Sequence, residues 1–321
     1  MPEAHPLFPA PANSRHLVVV RAGRASLHCG WIDGPGRAGF DLLVARYEPG
    51  PSLGERDGHA EVVIPGRKVA GFARLFREHP ALLADYDFIA LFDDDLRISQ
   101  RDLERLFEIG RSHKLDIFQP TLSPDSYFSY AATLSNSMFR LRYTNVVEMM
   151  CPVFSRDHLV RALPLFGLGY ELGIDLIWTR MTAEPWFRYA LVDAVVARHT
   201  RPVGSNKVQH LPTNGGGYDD EIRLVLAQAN ADFRGFVAYA AIDRNGGGVL
   251  SRSAIGLRSM VLWRAIGETP LPKRQFARFL CDYLRHSFLR PINLGQVVLG
   301  RGNGARSGPA APRVPAGECG Q

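Results

Sequence analysis

The stretch Tyr86–Leu96, YDFIALFDDDL, decides the reading of this chain. An apolar run, Phe88–Phe92, is bounded by acids and ends in three consecutive aspartates, Asp93, Asp94 and Asp95. A short apolar run between polar boundaries has the pattern of a central parallel strand. In an extended chain residues i and i+2 share one side, about 6.6 Å apart. The pattern therefore predicts Asp93 and Asp95 converging on one object while Asp94 faces away. Neighbouring carboxylates repel one another, and a divalent cation relieves that repulsion. Aspartate is a hard oxygen ligand suited to Mg²⁺ or Mn²⁺, which in turn bind diphosphate oxygens. In open α/β sheets ligands gather at the carboxyl ends of strands, where this triplet falls. A solvated acidic turn is the plain alternative.

Outward from the triplet, β-rich runs alternate with helical patterns. His16–Val20, Asp41–Tyr47, Ile117–Leu122, Val146–Phe154 and Tyr189–Ala197 read as strands. Val69 to Leu83 has apolar side chains at helical spacing. Ser99, with Asp102 three residues on, opens a second helix, and Ser155 caps a third. Asp175 to Met181 and Asp219 to Ala229 also read as helical, and Ser259 to Arg290 contains one or two basic amphipathic helices with Phe276, Phe279, Leu280, Leu284 and Phe288. Strands separated by helices imply a mostly parallel sheet covered on both faces.

Composition narrows the function classes. The 321 residues are 46% hydrophobic and 22% charged, which excludes wholesale disorder. No apolar run reaches the roughly 20 residues that span a bilayer, and the N-terminus lacks the pattern of a secretory signal peptide. The expected location is cytoplasmic, peripheral to the inner face of the membrane if the basic C-terminal helices rest there. The net charge of +6 invites thoughts of nucleic acid, but its distribution argues otherwise. Residues 1–200 carry 22 basic against 24 acidic side chains, whereas residues 201–321 carry 16 against 8. The basicity belongs to the C-terminal third, and no nucleic-acid motif accompanies it. Cys29, Cys151, Cys281 and Cys319 are widely spaced with no C-x-x-C pair, which disfavours structural zinc and suits a reducing compartment.

Six segments together resemble a known family: LVVVRAGRASLH (Leu17–His28), FDLLVARY (Phe40–Tyr47), YDFIALFDDDL (Tyr86–Leu96), VVEMMCPVFSRD (Val146–Asp157), GIDLIW (Gly173–Trp178) and LVDAVVARH (Leu191–His199). Their order and spacing resemble the plant and bacterial family catalogued as domain of unknown function 707, itself similar to nucleotide-sugar glycosyltransferases of the GT-A type. The resemblance implies a GT-A-like (Rossmann-like) α/β fold, a mostly parallel central sheet flanked by helices, with a helical C-terminal extension. It divides the chain into a flexible N-terminus (1–14), a nucleotide-sugar-binding and catalytic domain (15–212), the extension (213–300) and a disordered tail (301–321).

The resemblance also implies roles. Asp93 and Asp95 match the D-x-D that holds a divalent metal, Mn²⁺ or Mg²⁺, across the diphosphate of a nucleotide-sugar donor. His199 follows the late strand where a further ligand would lie. Asp175 is the candidate general base, in a segment where the related aromatic residue is replaced by Leu172. Glu148, among Val146, Val147, Met149 and Met150, is the second candidate, with Glu171 a weaker substitute. Arg21 and Gly23 at the first strand-to-helix turn, Lys68 beside Arg67, and Asp94 are the candidate nucleotide contacts. The implied partners are a nucleotide-diphosphate sugar and a hydroxyl acceptor, a glycan or a lipid-linked molecule. Two rival readings stand beside this one. The first is an inactive GT-A-like sugar-nucleotide-binding protein. The second is a haloacid-dehalogenase-like phosphatase drawing on Lys207 and Asp219-Asp220.

Overall fold

The structure, a computed structural model, describes Leu7 and residues 15–50, 59–204, 218–233 and 235–299. Lys207, the loop at 213–217, the tail at 301–321 and most of residues 1–14 lie outside the described residues.

Two βα passes build one side of the molecule. Strand β1 (His16–Ala22) is followed by β2 (Asp41–Arg46) and β3 (His59–Val63), then helix α1 (Lys68–Glu78), the short α2 (Leu82–Asp85) and β4 (Phe88–Asp93). β1 pairs in parallel with both β2 and β4, and β2 with β3. Their apolar side chains pack on both faces, so β1 and β2 are buried almost end to end, as the continuous runs in the sequence require. A two-residue β5 (Leu96–Arg97) leads into α3 (Gln100–Ser112), whose N-terminus is capped by Ser99 accepting from the Asp102 amide at 3.1 Å.

The other side is wound differently. β6 (Ile117–Leu122), β7 (Phe139–Thr144), β8 (Val153–Ser155), α4 (Arg156–Phe166) and the long β9 (Tyr189–His199) precede α5 (Tyr218–Gln228). β10 (Ala238–Asp243), β11 (Val249–Ser251), α6 (Arg252–Ser259) and α7 (Lys273–Leu289) complete the described chain. The main path of the sheet runs β11-β10-β7-β9-β6-β8-β4-β1-β2-β3, with β5 paired to β9 beside it.

This order corrects the expectation of a mostly parallel sheet: it is a mixed sheet. β8 lies antiparallel between β4 and β6, and β7, β10 and β11 are all antiparallel to their neighbours. β7 and β8 run in the same direction, opposite to β4, β6 and β9. The eight residues between them carry the chain past β9 and β6 without a helix, so strand direction here does not follow the helix-linked crossover pattern. The C-terminal extension is likewise not helical throughout, because β10 and β11 extend the sheet. Two further segments depart from their patterns. Val146–Phe154 keeps a strand only at Val153–Ser155, and Asp175–Met181 forms two 3₁₀ turns, Ile174–Leu176 and Trp178–Arg180. Those turns satisfy the irregular backbone at 145–149. The Trp178 indole donates to the Val147 carbonyl at 3.0 Å and the Thr179 hydroxyl to the Asn145 carbonyl at 2.7 Å.

Candidate active site at the carboxyl edge of the sheet

β4, β6 and β9 point the same way, so Asp93 at the end of β4 and His199 at the end of β9 meet on one edge. The triplet is not an extended run. β4 stops at Asp93, and Asp94 and Asp95 form a tight turn into β5. That turn is tied on three sides. The Leu27 amide donates to the Asp94 carbonyl at 2.7 Å, the Thr200 amide to the Asp95 carbonyl at 3.0 Å, and the Trp31 indole to the Leu96 carbonyl at 2.8 Å. β5 then pairs with β9 so that Leu96 lies opposite His199. The turn brings Asp93 and Asp95 to one side by folding rather than by strand periodicity.

The result is a three-residue donor set. One side-chain atom each from Asp93, Asp95 and His199 lie within 4.8 Å of one another. The His199 Nδ1 faces the Tyr127 carbonyl at 2.8 Å, which fixes the tautomer with Nε2 turned towards Asp95 Oδ2 at 3.2 Å. Burial alone would lower the imidazole pKa, but the Asp95 hydrogen bond and charge outweigh it, and His199 is raised. Burial would likewise raise Asp95, and the bond from His199 reverses that, holding the carboxyl below its ordinary value. Asp93 is pushed up by burial despite the Lys68 ammonium 2.6 Å away. The second oxygen of Asp95, Oδ1, is buried with no hydrogen-bond donor. A hard divalent cation fits this set of carboxylate oxygens and one neutral imidazole nitrogen.

Behind the donor set lies a second group of carboxylates. Glu148 is buried, Oε2 has no donor, and burial with the neighbouring Asp175 charge pushes its pKa up to about 7. Asp175 accepts from the Met149 amide at 3.4 Å, and burial pushes it up to about 6. Gly173, at φ +84, supplies the left-handed bend that starts the 3₁₀ turn carrying Asp175. Lys68 spans the two groups: its ammonium bonds the Met149 carbonyl at 2.6 Å as well as Asp93. Tyr130 faces the same pair, and its phenol is raised by burial and by the Asp175 and Glu148 charges.

The remaining candidates separate. Gly23 is placed at the site edge: its amide donates to Asp94 Oδ2 at 2.9 Å, and a Cβ there would lie 1.9 Å from the Tyr47 hydroxyl. Asp94 does face away from the donor set, and its other oxygen accepts from Arg201 at 3.0 Å, so its bonds are spent within the chain. Arg21 does not reach the site. Its guanidinium turns inward, donates to the carbonyls of Ile64 and Gly66 at 2.7 Å each, and fills the space a Cβ on Gly71 would need. Glu171 caps α1 from outside, accepting from the Val69 and Ala70 amides at 2.8 and 3.1 Å. That carboxylate occupies the helix N-terminus at which Arg67 and Lys68 were expected to meet phosphate. Asp219 and Asp220 sit on the exposed first turn of α5.

Tyr127, Tyr130, Tyr47 and Arg201 are the site residues that the sequence reading missed. Their partners lie 72 and 107 positions away for Tyr127 and Arg201, so no local pattern marks them.

Among solved structures, the chain is similar to TarS from S. aureus, at 12% identity and TM-score 0.40, covering 68% of this chain and 40% of that one. It is also similar to a 1–349 segment of TarS in complex with UDP-GlcNAc, at 10% identity and TM-score 0.35, covering 86% of this chain and 74% of that one. A197 from STIV is similar at 12% identity and TM-score 0.33, covering 74% and 93%. The chain thus spans less than half the length of the first of these structures. No curated protein matches it. The family model described as protein of unknown function DUF707, the family whose resemblance the sequence carries, matches residues 70–145, which contain the whole acidic turn.

Proposed function

We propose that the protein is a metal-dependent glycosyltransferase of GT-A type, moving a sugar from a nucleotide-diphosphate sugar to a hydroxyl acceptor. The observation that carries this reading is the Asp93, Asp95 and His199 set, folded together at the carboxyl edge of the sheet with an uncompensated oxygen on Asp95. Asp93, Asp95 and His199 Nε2 would hold the cation. When bound, the metal supplies Lewis-acid neutralisation of the diphosphate leaving group. The Tyr127 carbonyl accepts from Nδ1 and so directs Nε2 at the site, where the proton that Nε2 shares with Asp95 must leave for a cation to bind, and Thr200 and Leu27 hold the turn backbone. Lys68 places a further positive charge where departing phosphate oxygens would collect.

The Asp175 and Glu148 carboxyls take the acid–base part. A carboxyl held near 6 is poised to accept a proton from an acceptor hydroxyl at neutral pH, far better than one at 3.9. Glu148, higher still, retains its proton longer and orients rather than abstracts. Asp219 and Asp220, on a helix and pointing to solvent, do not assemble with Asp93, which sets the phosphatase reading aside.

The test is a thermal-shift series with UDP, GDP and CMP, each with and without Mn²⁺. Stabilisation by one diphosphate only when Mn²⁺ is present is the expected result. No shift with any nucleotide removes the donor site.

A further inference from the structure

The basic C-terminal helices present an outward face that the catalytic reading does not use. α6, continued by a 3₁₀ stretch (Met260–Gly267), runs back along α7. Arg252 locks the pair by donating to the carbonyls of His286, Ser287 and Arg290 at the end of α7. Gly256 lets the Phe288 ring approach, since a Cβ there would stand 2.5 Å from it. The inner face of α7 is core: Phe276, Leu280 and Tyr283 are buried, and Phe276 meets Phe128 edge-on with ring centroids 6.1 Å apart. Phe128 follows Tyr127, so this helix backs the loop that holds His199.

The outer face is not core. Leu289 is 73% exposed, Leu257 62%, Met260 52% and Phe288 46%. Phe288 touches Gly256, which adjoins Leu257 and lies one helical turn before Met260, so the four form one apolar ridge. Exposed arginines continue it along α7 at helical spacing, Arg274, Arg278 and Arg285. Residues 252–290 hold eight basic and two acidic side chains, a net +6 that equals the excess of the whole chain.

We propose that this ridge docks the protein on an anionic phospholipid surface, with Leu257, Met260, Phe288 and Leu289 entering the headgroup layer and the arginines meeting lipid phosphates. Charge selects this occupant. A second copy seated on the same patch by two-fold symmetry would press one cationic face against another. A bilayer surface with anionic lipid offers the opposite charge together with an apolar layer for the ridge. No helix among the described residues is long and apolar enough to cross a membrane, so the contact is peripheral.

The test is sedimentation of the full chain with vesicles of phosphatidylcholine alone or mixed with phosphatidylglycerol. Wild type pellets with the mixed vesicles and is released by salt. Leu257→Ser with Leu289→Ser lowers the bound fraction about tenfold without changing the melting temperature, because these two side chains are already mostly in water. Arg278→Gln with Arg285→Gln flattens the salt dependence. Equal pelleting of the Ser variant and wild type overturns the proposal, as does equal binding to both vesicle types. A ridge that mediates self-association, seen as a dimer in light scattering that the Ser variant dissolves with no vesicle binding, also overturns it. So does binding lost on truncation after residue 300 but kept in the Ser variant.

Discussion

Arg142 with Asp193, and Asp93 with Asp95 and His199, are both charged clusters on the same sheet, and they differ in whether donors and acceptors balance. Arg142 is fully buried and spends all its donors. Nε and Nη2 grip the two Asp193 oxygens at 2.8 Å each, Nη2 also reaches the Leu134 carbonyl at 2.8 Å, and Nη1 reaches Ala132 at 2.9 Å and the Tyr283 hydroxyl at 3.1 Å. Asp193 receives a further bond from the Asn136 amide at 2.8 Å. Burial opposes the guanidinium charge, yet the Asp193 carboxylate holds Arg142 above its ordinary value. That cluster ties β7, β9, the 130s loop and α7 together and has nothing left to offer a ligand. The carboxyl-edge cluster is acceptor-rich: two aspartates, an imidazole, Glu148 and Asp175 face one ammonium, and Asp95 Oδ1 and Glu148 Oε2 have no donor. A closed cluster specifies structure. An open one leaves acceptors unmatched, as the proposed cation site requires.

The contrast predicts opposite responses to mutation, and the largest concerns the closed cluster. Arg142→Met leaves Asp193 charged and alone in the core, so urea unfolding should show a loss of about 3–5 kcal/mol. Arg142→Met with Asp193→Leu should recover most of it. A cost below about 1 kcal/mol for the single variant would mean the pair is not the strut described.

In the open cluster the effects fall on chemistry. Asp175→Asn should lower turnover about a hundredfold or more, with nucleotide affinity from calorimetry unchanged. Full activity in that variant would move the base elsewhere. Glu148→Gln sharpens the comparison through pH. The folded-state pKa, raised to about 7, lies above the roughly 4.3 of an unfolded glutamate. The native state therefore keeps a proton the unfolded state has lost, and stability present below about pH 4 declines as pH rises through 7. In metal-free protein, Glu148→Gln should be more stable than wild type at pH 8, by on the order of 2 kcal/mol, and indistinguishable at pH 4. Parallel stability curves for the two proteins would show Glu148 compensated by a partner. The smallest effect belongs to Lys68. Lys68→Met removes the ammonium competing for Asp93, so Mn²⁺ alone should bind a few-fold tighter while the diphosphate binds more weakly. Weaker Mn²⁺ binding would make Lys68 a support of the metal site rather than its rival.

The comparison also explains what the sequence could and could not convey. Asp93, Asp94 and Asp95 were legible because they are adjacent and end an apolar strand, a local signal, whereas His199 was singled out only by the family resemblance. Asp175–Met181 was read as helical, and the chain forms two 3₁₀ turns there instead. Arg142 was not singled out: nothing in FRLRYT separates Arg142 from the exposed Arg140, and only tertiary packing shows that Arg142 is buried against a residue 51 positions away. Arg21 misled in the opposite direction. A basic residue ending the first strand beside a Gly-rich turn suggests an anion site, and only the approach of α1 through Gly71 turns it inward. Strand direction failed too, since the antiparallel insertion of the three-residue β8 depends on the partners it finds and not on its own pattern.

The central claim is that the acidic turn is a metal-bound nucleotide-diphosphate site, and a Mn²⁺ electron-paramagnetic-resonance titration tests it most directly. The account predicts one Mn²⁺ site per chain that tightens when UDP or GDP is added and disappears in Asp93→Asn with Asp95→Asn, with the fold intact. Mn²⁺ that stays free beside the nucleotide, or that the double variant binds as wild type does, would contradict it.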